Sequence, residues 1–90
     1  MLFRSLSGEY DTIVVKQQDK PGVVAFITKT LSESGVNIAF MRLYRENRGK
    51  LAYTIVEADQ PIRRETVRTI FEHPDIVAAR RITPREDTDR

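Results

Sequence analysis

Ninety residues, 40% hydrophobic and 31% charged, suit one small globular domain and are too few for two. The absence of cysteine excludes a disulfide framework, thiolate-bound zinc, a cysteine nucleophile and a cysteine-ligated iron–sulfur cluster on this chain, and fits a reducing cytoplasmic setting. A net charge of +2 is too small to demand nucleic acid, no apolar run approaches the ~20 residues of a membrane span, and Met1–Gly8 has no signal-peptide core.

Residues 1–9 are expected to form a linker or N-terminal extension. Tyr10–Gln17, with β-branched Thr12 to Val15, reads as a strand that stops at Asp19-Lys20-Pro21-Gly22. Pro21 suits the first turn of a helix, and Asp19 has the side chain of a cap. Val23, Phe26, Ile27, Thr30 and Leu31 then fall on one helical face, and Gly35 is the expected left-handed stop. Val36–Arg45 is a second strand, Asn47-Arg48-Gly49 a turn, and Lys50–Ala58 a third strand, so these two form a hairpin. Pro61 is expected to open a second helix with apolar positions Ile62, Val67, Ile70 and Phe71, ended by Pro74. Ile76–Ile82 is the last strand, and residues 84–90 form a charged, flexible tail.

The order βαββαβ, with right-handed crossovers, implies an α+β, ferredoxin-like two-layer sandwich over residues 10–83. Its four-stranded antiparallel sheet carries both helices on one face. The strands carry apolar residues at both parities: Ile13 and Val15 beside Val14, Phe40 beside Met41, Ile55 beside Val56. A solvated sheet face alternates with polar residues, so a sheet edge or the helix-free face is expected to meet another chain, and a homodimer is expected. The plainer alternative is a few exposed apolar residues.

The loop Gln17-Gln18-Asp19-Lys20-Pro21-Gly22-Val23 carries the main chemical expectation. A helix N-terminus offers unpaired N–H groups to a carboxylate, Gly22 allows close approach, and Asp19 can meet an ammonium group. Asn37, with Ile38 after it, starts the adjacent strand and offers a donor and an acceptor. Equally, Asp19 could cap the helix and Asn37 could bond local backbone; the residues leave both open.

Asp19-Lys20-Pro21-Gly22-Val23, a helix, and Gly35-Val36-Asn37-Ile38 together resemble the ACT-domain signature. Leu6–Tyr10, Asn37–Arg42 and Glu57–Ile62 further resemble the C-terminal ACT domain of iron–sulfur L-serine dehydratase β subunits. The resemblance implies a regulatory module that binds a small L-amino acid, L-serine first. It would not be catalytic, and would control a catalytic subunit or domain elsewhere that carries the 4Fe–4S cluster, with no cofactor on this chain. It also implies a place in serine metabolism and gluconeogenesis, and a ligand site at Gln17, Gln18, Asp19, Lys20, Pro21, Gly22, Val23, Asn37 and Ile38. Serine-binding relatives have His and Asn where this chain has Gln17 and Asp19; Asn37 is kept.

Other functions fit the residues less well. Basic residues 63–68 and 80–85 are interleaved or matched with acids, while Arg42, Arg45, Arg48 and Lys50 around one turn make at most a weak anion patch. The RNA-recognition fold shares the strand order, but Lys50 and Leu51 stand where its motif needs an aromatic and a small residue. An acylphosphatase-like loop would carry an arginine, and Gln18–Gly22 has none. His73 is expected to be a solvated helix terminator, and Tyr44 and Tyr53 a packing pair across the hairpin. A ligand-free structural dimerisation module remains the alternative.

Overall fold

The structure, a computed structural model, describes residues 10–47 and 49–84. Residues 1–9 and all of the expected tail but Pro84 lie outside the described residues, as does Arg48. The elements run β1 (Thr12–Gln18), α1 (Val23–Glu33), β2 (Ile38–Asn47), β3 (Leu51–Ala58), α2 (Arg64–Phe71) and β4 (Ile76–Ile82). The strands form one antiparallel sheet in the order β2-β3-β1-β4, with both helices on one face: the expected ferredoxin-like sandwich.

Alternation along β1 and β3 builds the core. Ile13, Val15 and Gln17 on β1, and Ala52, Thr54, Val56 and Ala58 on β3, are buried against the helices. Val23, Ile27 and Leu31 of α1, Ile70 of α2, Ile62 and Ile76 complete it. Each fully buried aliphatic side chain contributes about 1.5–3 kcal/mol. The α1 face is the one its spacing predicts, with Phe26 half-buried. Gly35 ends α1 at φ +82°, and the Val36 N–H returns to the Leu31 carbonyl at 3.0 Å.

The second helix differs from expectation. Pro61 does not open it; α2 starts at Arg64, residues 61–63 precede it outside any helix or strand, and Arg63 is extended. Ile62 is fully buried ahead of the helix, with its N–H held by Asp11 Oδ2 at 2.6 Å and its carbonyl accepting from Arg81 Nη1 at 2.7 Å. Bonds from Asp11, just ahead of β1, and from Arg81 on β4 therefore hold Ile62 in the core and delay the helix. Thr66 and Ile70 form the buried face of α2, while Phe71 is exposed.

The two central strands and the β2 edge part company in burial. No described residue of β2 is buried, and Phe40, Met41, Leu43 and Tyr44 are all exposed. On the helix-free face, successive rows from β2 to β4 read Phe40-Glu57-Thr12-Ile82, Arg42-Ile55-Val14-Arg80 and Tyr44-Tyr53-Lys16-Ala78. Tyr44 and Tyr53 stack as expected, with centroids 5.5 Å apart.

Candidate functional site

Antiparallel alternation sends the β1–α1 loop and the β2–β3 turn to the same end of the sheet. There Asp19, Lys20, Pro21, Gly22, Val24, Leu43, Arg45 and Gly49 line an open cleft of about 460 Å³. Four of the nine expected site residues, Asp19 to Gly22, thus meet in one place. Val24, Leu43, Arg45 and Gly49 complete it, and the loop motif alone does not point to them. The signal lay in the topology, because counting strand directions puts the hairpin turn beside the first loop.

Each loop residue has a definite role. Gln17 faces inward and is buried, its Oε1 accepting from the Thr54 hydroxyl at 2.8 Å, so it belongs to the core. The Gln18 and Asp19 N–H groups pair with the carbonyls of Asp75 and Lys50 at 2.8 and 2.9 Å. These bonds tie the loop to the α2–β4 corner and to the hairpin turn. Lys20 Nζ reaches Asp75 Oδ1 at 3.2 Å. Val23 is buried beneath the helix start.

Asp19 does not cap α1, whose N-cap is Gly22 with no side-chain bond to the helix. Asp19 Oδ2 instead accepts from the Gly49 N–H at 2.9 Å and from Arg45 Nε at 3.2 Å. The carboxylate joins the loop to β2 and to the hairpin turn, an alternative that local spacing could not display. Gly22 adopts φ +90°, and a Cβ there would meet nothing within 4 Å. The glycine is thus required by backbone conformation, and the space above it is open to a ligand. The first turn of α1 has no acidic residue, so its positive end is uncompensated on its own helix. The cleft presents donors: the helix start, Lys20 and a half-exposed Arg45 guanidinium.

Asn37 and Ile38 lie at the opposite end of the sheet. Ile38 pairs with Ala58, and Gln18 with Leu51, so at least seven residue steps of strand, roughly 23 Å, separate Asn37 from the loop of its own chain. Asn37 closes the α1–β2 corner onto the start of the α2 segment. Its Nδ2 donates to Asp59 Oδ2 at 2.6 Å and its N–H to Gln60 Oε1 at 2.8 Å, and its carbonyl accepts from the Asp59 N–H at 2.9 Å.

His73 is half-buried, not solvated. Its ring lies 4.5 Å from that of Phe26, and its Nδ1 accepts from the Asp75 N–H at 3.0 Å. It shapes the corner that receives Lys20. Among the described residues no three His, Asp or Glu side chains gather as a metal site, and no helix is long and apolar enough to cross a membrane.

Comparison with known proteins gives this geometry a lineage. The chain is 30% identical over 77 residues to the probable L-serine dehydratase, beta chain, of Bacillus subtilis (strain 168), covering 86% of this chain and 35% of that one. It is 31% identical over 71 residues to D-3-phosphoglycerate dehydrogenase 3, chloroplastic, of Arabidopsis thaliana, covering 79% of this chain and 12% of that one. It thus spans about a third or less of the curated relatives it matches. Among solved structures, the C-terminal domain of the MgtC protein from Mycobacterium tuberculosis shares the fold at a TM-score of 0.64 and 13% identity, covering 88% of this chain and 92% of that one. The ACT domain from GTP pyrophosphokinase of Chlorobium tepidum does so at a TM-score of 0.52 and 16% identity, covering 80% and 95%. The ACT domain profile itself matches residues 12–75, from the first residue of β1 to the corner that holds Lys20, and the chain belongs to the ACT domain family.

Proposed function

We propose that this chain is a non-catalytic regulatory module that binds a small L-amino acid, with L-serine the first candidate, at an interface between two copies. The observation that carries the reading is that one strand serves both purposes. β2 supplies Leu43 and Arg45 to the cleft, yet it is a sheet edge, paired on one side only, with no buried residue among those described. A long exposed apolar edge is a template for pairing with another chain.

Pairing two β2 strands about a two-fold axis normal to the sheet sets one residue opposite its own copy. A centre at Arg42 opposes like charges, which is unfavourable, whereas Met41 or Leu43 opposes apolar side chains. A centre at Met41 brings the partner's Asn37 opposite Arg45, and a centre at Leu43 brings it opposite Gly49. Both residues line the cleft. Two expected parts of the site, distant within one chain, then meet between two chains.

Such a site can regulate. A ligand held by both copies favours the arrangement in which they are closest, and unequal affinity for two arrangements is all that control of an attached domain requires. The similarity to an L-serine dehydratase beta chain supports a parent enzyme acting on serine. Any iron–sulfur cluster of such a parent would find no cysteine ligand on this chain and would belong to its catalytic part. A structural dimerisation module would use the same edge without a ligand. Calorimetric titration of the chain with L-serine and a panel of amino acids, paired with sedimentation, separates the two. We expect saturable heat at one ligand per chain and a dimer tightened by ligand. A dimer with no heat from any amino acid would establish the structural role.

A further inference from the structure

Asn37 is exposed, yet three hydrogen bonds hold it. One of them decides what the side chain can offer. A carboxylate only accepts hydrogen bonds, so the amide must turn its Nδ2 toward Asp59 Oδ2 and its Oδ1 away. The bond is charge-assisted, which makes it strong enough to fix the amide in one orientation. The backbone bonds to Gln60 and Asp59 hold the rest of the residue still. Asn37 therefore presents an acceptor outward, backed by the negative charge of Asp59.

The cleft on the loop side has the opposite character. Its one carboxylate, Asp19, is engaged by Gly49 and Arg45, and donors remain. We propose that Asp59 is a positioning residue: it locks Asn37 as the acceptor for the ligand's ammonium group, while the α1 start and Arg45 receive the carboxylate. The proposal rests on the reading that Asn37 reaches the partner's cleft. It reassigns Asp19 from ammonium partner to the residue that holds Arg45 in place. The ligand class follows: an α-amino acid is recognised, and the corresponding hydroxy acid, whose neutral hydroxyl donates a weaker bond to the same acceptor, gains less from Asp59.

The test uses the full chain, calorimetry, and two probes, L-serine and L-glycerate, which has a hydroxyl in place of the ammonium. Asp59→Ala is expected to weaken L-serine at least tenfold and L-glycerate at least threefold less than L-serine. Asp59→Asn, whose amide oxygen can still accept from Asn37, is expected to restore L-serine to within about threefold of the parent chain. A thermal melt of each variant reads any loss of the corner itself. Equal loss for both probes would mean that Asp59 only braces the corner, and would overturn the proposal while leaving the interface reading intact. Unchanged L-serine affinity in Asn37→Ala, or no L-serine binding by the parent chain, would overturn both.

Discussion

β1 and β2 run in the same direction in one sheet and are both rich in apolar residues, but they serve different ends. β1 lies between β3 and β4, and its odd-numbered residues are buried while the others are partly or wholly exposed. β2 is longer, stands at the edge, and exposes apolar side chains to both faces. One-sided burial is the mark of a strand whose partners lie within its own chain. Two-sided apolarity without burial is what a strand would show if, as proposed, its partner lay outside the chain. Stability should therefore depend on β1 and its neighbours, and assembly on β2.

The sharpest way to break this contrast is in the core. Ile13→Ala, at a fully buried site, is expected to cost about 2–5 kcal/mol in urea unfolding. Leu43→Ala on β2 should change monomer stability by no more than about 0.5 kcal/mol. Equal effects would erase the distinction. Next comes the polar pair between β1 and β3. Thr54→Val strands the buried Gln17 amide oxygen and should cost about 1–3 kcal/mol, whereas the double variant Gln17→Leu/Thr54→Val recovers much of it. A third, smaller effect is expected for Asp19→Ala, which releases Arg45 and the Gly49 N–H. It should cost about 1 kcal/mol and show in hydrogen exchange as faster opening of the hairpin turn. Least of all in stability, Met41→Lys/Leu43→Lys should leave the unfolding midpoint nearly unchanged and turn a sedimenting dimer into a monomer. A dimer that survives both lysines would move the interface to the helix-free face.

What the sequence made legible follows the range of the forces involved. The α1 face, the Gly35 stop and the Tyr44–Tyr53 pair rest on spacing or on one tight turn, and all three stand in the structure. The start of α2 is not legible locally, because the Ile62 N–H is taken by Asp11, 51 residues away, and no local pattern contains that competition. Asp19 was open to misreading for the same reason: its partners lie on the hairpin, where Gly49 is 30 residues distant. Of the loop motif, the exposed residues Lys20, Pro21 and Gly22 and the carboxylate of Asp19 do line the cleft, while Gln17 and Val23 serve the core. Parity along β1 already placed Gln17 with Ile13 and Val15.

The other edge of the sheet has a consequence for growth. An antiparallel sheet with two free edges can extend without limit when one copy's first edge meets the next copy's last, a head-to-tail contact that never closes. Here that contact would set β2, with Arg42 and Arg45, against β4, with Arg80 and Arg81. Like charges brought side by side along a ladder oppose the pairing. Two β2 strands, by contrast, can place an apolar residue at their centre and stagger their arginines against tyrosine or methionine. The arginines of β4 thus disfavour every head-to-tail register that sets them opposite Arg42 or Arg45, and so bias edge pairing toward a closed two-fold contact and away from a filament.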